Sequence, residues 1–180
     1  MTPLQVLHKE IDDRVQAIRA RHPDWLCGKG CDGCCRRLAD VPRLTSAEWA
    51  LLRSGLAQLP AVQQGGIARE VAVLATGTTR PVVCPMLDRA TGACTVYAYR
   101  PVACRSYGFY AQRDKGLYCG DIEKSVADRT LSDVVWGNHD AIDRQLAACG
   151  ESRLLTEWFA IDGPERFIGH SSAGIPAAVL

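Results

Sequence analysis

Apolar residues at Leu4, Leu7, Ile11, Val15 and Ile18 recur every three or four positions and draw one stripe down an amphipathic helix. Thr2 can cap this helix, and Pro3 fits its first position, where a missing N–H costs nothing; Pro23 marks the exit. Across residues 25–42 the period disappears among glycines and cysteines, which predicts a loop shaped by something other than secondary structure. A capping box, Thr45 with Glu48, then opens a helix running to about Gln58. Pro60 starts another that reaches about Leu74, with Gly65 and Gly66 weakening it by roughly 1 kcal/mol each.

The pattern then changes. Residues 82–87 and 93–97 are short β-prone runs flanking Asp88-Arg-Ala-Thr-Gly92, the pattern of a hairpin with a four- or five-residue turn. That hairpin presents Cys84 and Cys94 to each other. Arg100-Pro101 opens a short helical turn carrying Cys104, and Cys119 follows on a loop. Leu131, Val134, Ile142 and Leu146 predict a helix over 132–148 that stops at Gly150, and residues 152–160 predict a last short helix. The stretch 162–180 is rich in Gly, Pro and Ser and reads as a tail or a docking arm. The expected fold is therefore mostly α with a small β-hairpin, a compact metal-centred single domain over 1–161.

Length supports that picture, because a chain of 180 residues buries roughly 70% of its unfolded surface without needing disulfides. No apolar run approaches the roughly 20 residues that span a bilayer, and the N-terminus lacks the apolar core of a signal peptide. We expect a cytoplasmic protein with no membrane partner. A net charge of +1 leaves nucleic acid without an electrostatic footprint to bind.

In a reducing cytosol, clustered cysteines are metal ligands or catalytic groups more often than bridges. The chain has nine. Cys27, Cys31, Cys34 and Cys35 are spaced C-x3-C-x2-C-C, and Cys84, Cys94, Cys104 and Cys119 follow at irregular positions suited to ligation. Cys149 lies in a helical pattern beside Ala147 and Ala148 and reads as a small buried hydrophobe. Eight thiolates suit two tetrahedral four-sulfur sites, one multinuclear site with bridging sulfurs, or an iron–sulfur cluster with thiols to spare. The vicinal Cys34 and Cys35 weigh against two independent zinc knuckles, because neighbouring side chains rarely point at one ion: either they serve different metals, or one is a spare.

The negative charge of such a set calls for cations. Arg100 and Arg105 flank Cys104 and are the better candidates; Arg36 and Arg37 are equally well read as solvated surface. His139, beside Asp140, is a lesser candidate for a ligand or base, since a lone helical histidine is more often packing or surface. His8, His22 and His170 have no partner at a recognisable spacing, and Tyr97, Tyr99, Tyr107 and Tyr110 read mainly as packing. The C-x3-C-x2-C spacing also matches radical S-adenosylmethionine enzymes, but the alternating strands and helices of their barrel are missing. A disulfide oxidoreductase built on Cys31-x2-Cys34 comes last, because no strand precedes that pair in the thioredoxin manner.

The linked motifs Cys27-x3-Cys31-x2-Cys34-Cys35, Cys84-Pro-Met-Leu87, Cys94-Thr-Val-Tyr97 and Arg100-Pro-Val-Ala-Cys104-Arg-Ser-Tyr107 together resemble the YkgJ-type family of bacterial cysteine-cluster proteins. The resemblance covers residues 27–107 and implies zinc or iron chelation through these thiols. A similar module in flagellin lysine methylases implies the alternative, an iron or iron–sulfur enzyme with an open metal position. The expected partner is a metal ion, zinc or iron, and the ligand pool is the eight cysteines other than Cys149.

Overall fold

The computed structural model describes residues 1–113 and 115–163, and its first helix, α1 (Pro3–Arg21), begins as predicted. Thr2 Oγ1 accepts the Gln5 N–H at 3.3 Å while Gln5 Oε1 accepts the Thr2 N–H at 2.8 Å. There follow β1 (Arg43–Thr45), α2 (Ser46–Leu56), α3 (Ala61–Thr76), the two-residue strands β2 (Leu87–Asp88) and β3 (Ala93–Cys94), and the short α4 (Val102–Ser106). The chain continues through β4 (Tyr110–Gln112), β5 (Lys115–Leu117), α5 (Gly120–Ala127), β6 (Gly137–Asn138), α6 (His139–Leu146), β7 (Ser152–Leu154) and α7 (Leu155–Asp162). The protein is mostly α with small β pieces, and among the described residues no helix is long and apolar enough to cross a membrane.

Long-range pairing accounts for the departures from the sequence pattern. No helix runs over 132–148: residues 131–136 are turn and loop, and the helix starts only at His139, with Asn138 Oδ1 accepting the Asp140 N–H at 3.0 Å. Gly137 is instead taken up by β6, which lies parallel to β4, and this tertiary bond overrides the local period. Residues 152–154 likewise pair antiparallel with β1 before α7 begins. The predicted hairpin forms, but its ladder is only Leu87 with Cys94 and Asp88 with Ala93. Its outer arm bonds elsewhere, Val82 pairing with Leu38. Cys119 lies on a loop as expected and ends it as the N-cap residue of α5, a helix the sequence pattern did not mark out, with Asp121 and Glu123 in its first turn. Asp162 closes α7, where it accepts the Trp49 Nε1–H at 2.9 Å and pairs with Arg53. The rest of the expected tail, 164–180, lies outside the described residues.

Two apolar cores result among the described residues. The first joins β1, α2, α3 and α7 through Leu44, Trp49, Leu56, Val71, Leu155 and Phe159, with Met86 and Val96 from the hairpin region. The second joins α1, α4, β4 and α6 through Leu7, Ile11, Val102, Tyr110 and Ile142. Helix α2 serves both, with Ala47 and Leu51 packing against the second core. Its buried Glu48 ties them further: Oε2 accepts from the Thr45 N–H and hydroxyl, each at 2.8 Å, and Oε1 accepts the Val102 N–H at 2.9 Å, which fixes the start of α4.

Candidate metal centre

Where these cores meet, four separate segments bring cysteines together. The loop carrying Cys27, Cys31, Cys34 and Cys35 is wound by tight turns, with the Cys31 N–H donating to Gly28 O at 3.1 Å and the Arg36 N–H to Asp32 O at 2.9 Å. Its far end is stitched to the outer arm of the hairpin, as the Val82 N–H bonds Leu38 O and the Cys84 N–H bonds Cys35 O. The hairpin turn also lies on the loop: Gly92 adopts φ +69°, and a Cβ there would stand 2.9 Å from Gly30 O. Cys94 sits on β3, and Cys104 sits on α4, whose start Glu48 holds.

Cys27 is placed from the other side. Its Sγ lies 3.5 Å from Tyr107 O, and Gly108 at φ +88° lets the backbone pass so close that a Cβ would be 2.9 Å from that sulfur. Gly108 in turn donates to Leu117 O at 2.7 Å, which brings the chain leading to Cys119 alongside.

Seven thiols, those of Cys27, Cys31, Cys34, Cys35, Cys84, Cys94 and Cys104, line one cavity of about 80 Å³; Cys119 is not on its wall but lies within electrostatic reach of Cys27. That volume is far below the roughly 300–1,000 Å³ of small-molecule sites and suits ions rather than an organic cofactor. Apolar side chains, among them Leu38, Leu52, Met86 and Leu155, complete the wall. The Sγ atoms of Cys34 and Cys35 are 4.0 Å apart. Among the described residues, no three His, Cys, Asp or Glu donors stand close enough together to hold an ion as placed, so ligation requires the thiols to draw closer together.

Burial and mutual contact raise five of these thiols, those of Cys27, Cys34, Cys35, Cys94 and Cys104, above the ordinary thiol range. Burial, then Cys31 and Cys34, pushes Cys27 up to about 11. Hydrogen bonding to Cys35, then burial, raises Cys34 well above the ordinary thiol range. At Cys35 the bond from Cys34 lowers the value, but the bond to Cys84 together with burial outweighs it and pushes Cys35 up to about 12. Burial also pushes Cys104 up to about 12 and raises Cys94, with Arg100 partly opposing both. Such thiols are silent nucleophiles at neutral pH and become thiolates when a cation displaces the proton.

The cations are distributed differently from expectation. Arg100 lines the cavity, its guanidinium carbon 3.5 Å from the Tyr97 ring centroid and its Nη1 donating to Cys104 O at 3.3 Å. Arg105, expected beside it, turns away to pair with Asp12 at 3.3 Å and to bond Arg100 O, so it clamps α4 to α1. Arg36 pairs with Asp32 at 2.6 Å, and Arg37 is exposed. Arg19, which no spacing singled out, donates to Cys27 O at 2.8 Å and partly opposes the rise at that thiol.

His139 is not on the cavity wall and lies 3.3 Å from Asp143. His22 stands 3.5 Å from Asp133 and against Trp25, while His170 lies outside the described residues. Tyr97 and Tyr107 do line the cavity, whereas Tyr99 and Tyr110 pack in the two cores. Cys149 is buried in the second core.

A family model described as "CxxCxxCC: Putative zinc- or iron-chelating domain" matches residues 26–124, more than half of the chain and a span that includes every thiol around the cavity. No curated protein and no solved structure matches.

Proposed function

The chain belongs to the CxxCxxCC family, and from that premise we propose that it binds zinc or iron through the thiolates of Cys27, Cys31, Cys34, Cys35, Cys84, Cys94, Cys104 and Cys119, acting as a metal-binding protein of the cytoplasm. The observation that supports this best is the convergence of seven of these thiols from four segments on one small cavity. The donor set fits: soft thiolates suit zinc and iron, the volume suits ions, and the cavity's apolar wall would strengthen the attraction between cation and thiolate. Bound there, zinc supplies a redox-inert cross-link and iron a redox-active centre.

The chain's own groups prepare that binding. Glu48 holds Cys104 in position through α4, the Cys35–Cys84 main-chain bond holds two segments in register, and Arg100 and Arg19 place positive charge beside the developing thiolates. Clustered cysteines without disulfides suit a reducing compartment, which supports the cytoplasmic reading.

Anaerobic purification followed by elemental analysis and a visible absorption spectrum tests the reading. Colourless protein with stoichiometric zinc, or coloured protein with iron, supports it. Protein that retains neither metal, and takes up neither on addition, overturns it.

A further inference from the structure

We propose that Cys31 is the exchange thiol of this cavity, the group at which a metal ion arrives and departs as the complex of a small anionic thiol. The proposal rests on the metal-binding reading and adds the route by which the ion is gained and given up.

Among the nine cysteines Cys31 alone is exposed, yet it also lines the cavity, so its sulfur stands where the cavity meets solvent. Its surroundings are open as well. Gly30, at φ +94°, has nothing within 4 Å of where a Cβ would be, and a Cβ on Gly28 would meet only the Arg19 guanidinium, at 3.9 Å. Both glycines line the cavity beside Cys31. The Cys31 N–H bonds within its own turn, to Gly28 O.

The other thiols on the wall are fixed from elsewhere in the chain. Gly108 wedges Cys27, a main-chain bond joins Cys84 to Cys35, strand pairing with Leu87 holds Cys94, and Cys104 rides on α4, whose start Glu48 fixes. Five thiols are thus held by distant segments, while Cys31 sits on an open turn that leaves it room to move. A thiol that is both reachable and free to move is the one that can contact an ion before the rest close on it.

The rim also selects what carries the ion. Lys29, exposed and next but one to Cys31, places its ammonium 5.9 Å from the centroid of the Tyr97 ring, whose centroid is 3.5 Å from the Arg100 guanidinium carbon. Among the described residues Lys29 has no acidic partner, whereas Arg36 on the same loop is taken up by Asp32. One unpaired cation beside one exposed thiol suits a small ligand that bears a thiolate and a carboxylate. In the exchange the Cys31 sulfur replaces the carrier's sulfur on the ion, and its proton passes to the departing thiolate. One metal–sulfur bond forms as one breaks, and the ion keeps its oxidation state.

The test uses the full chain, stripped of metal and kept reduced under anaerobic conditions. Rapidly quenched samples follow how fast Zn²⁺ moves to the protein from its complex with glutathione, an anionic thiol, or with cysteamine, a cationic one. Lys29→Glu should slow uptake from the glutathione complex at least threefold, the difference closing at high salt and vanishing with cysteamine. Cys31→Ser should cost at least tenfold in uptake rate and less than that in equilibrium affinity; Cys94→Ser, half-buried on β3, should cost more in affinity than in rate. Limiting iodoacetamide on metal-free wild-type protein, a readout that needs no variant, should place its first label on Cys31 by mass spectrometry. Wild-type uptake rates in Cys31→Ser, or a first label on another cysteine, overturn the exchange role while leaving metal binding intact. A Lys29→Glu rate equal to wild type overturns the anionic carrier. Wild-type protein that binds no Zn²⁺ at equilibrium overturns the metal-binding reading itself.

Discussion

The main-chain N–H of Cys84 donates to the carbonyl of Cys35 at 2.7 Å, so two distant stretches of the chain are tied by backbone at the point where their thiols meet. Replacing either thiol by a hydroxyl leaves this tie in place. Cys35→Ser and Cys84→Ser are therefore expected to lower metal content while keeping the fold. Cys149→Ser, in the second core, is expected to keep full metal content and to lose about 1 kcal/mol of stability from burying a hydroxyl. Elemental analysis beside thermal melts checks both; equal metal retention in all three variants contradicts the ligand assignment.

Gly108→Ala places a methyl 2.9 Å from the Cys27 sulfur on a residue with φ +88°. The left-handed backbone alone costs about 1–2 kcal/mol, and Cys27 must move to make room. Metal affinity should fall at least tenfold. Gly33→Ala is the control, since a Cβ there meets nothing within 4 Å; competitive Zn²⁺ titration of both variants gives the comparison.

Glu48→Gln probes the link between the cores. Both carboxylate oxygens accept hydrogen bonds, from Thr45 on one side and from the Val102 N–H on the other. An amide has one oxygen, so its NH₂ must face a donor, and stability should drop by roughly 2 kcal/mol. Urea unfolding of the metal-free protein measures the loss, and the weaker hold on α4 should appear as faster metal release.

His8 sets an acid limit. Burial, with Arg105 nearby, lowers it from 6.5 to about 4, so the folded state resists its protonation. Its contribution is fully present above pH 6.5 and is lost as pH falls through about 4, an effect that solvent screening of the half-buried ring reduces to about 1–2 kcal/mol. His8→Leu should flatten the pH dependence of unfolding free energy over that window. An unchanged slope in the variant would show that another group controls acid stability.

Metal uptake should itself release protons, because Cys27, Cys35 and Cys104 are held well above their usual range and must ionise to bind. Calorimetric titration of Zn²⁺ in buffers of different ionisation enthalpy counts them, and affinity should rise from pH 6 to pH 8.

Local signals made α1, α2 and α3 legible. Thr2, Thr45 and Glu48 announce their helix starts, and an apolar period needs no knowledge of distant residues. What the period could not reveal was pairing between distant strands: β1 with β7, and β6 with β4. Those contacts are why Ser152 begins a strand and why His139, rather than a residue near Ser132, begins a helix. The same division holds at the site. Cysteine spacing named the thiols, but the core each belongs to depends on packing. Arg105 illustrates the limit, since adjacency to Cys104 suggested a role that its reach to Asp12 removes. Gly108 had a readable signal, a glycine set between Tyr107 and Phe109, of the kind that marks close backbone approach.

The meeting of two cores at a set of thiols also bears on how the chain unfolds. Each core has its own interior, and each could open without the other if only α2 and Glu48 joined them. Ions held across the boundary would merge them into a single cooperative unit. Chelation should then divide one unfolding transition into two, with amide exchange in α1 and α6 separating from that in α3 and α7, so that metal decides how many pieces the molecule melts in.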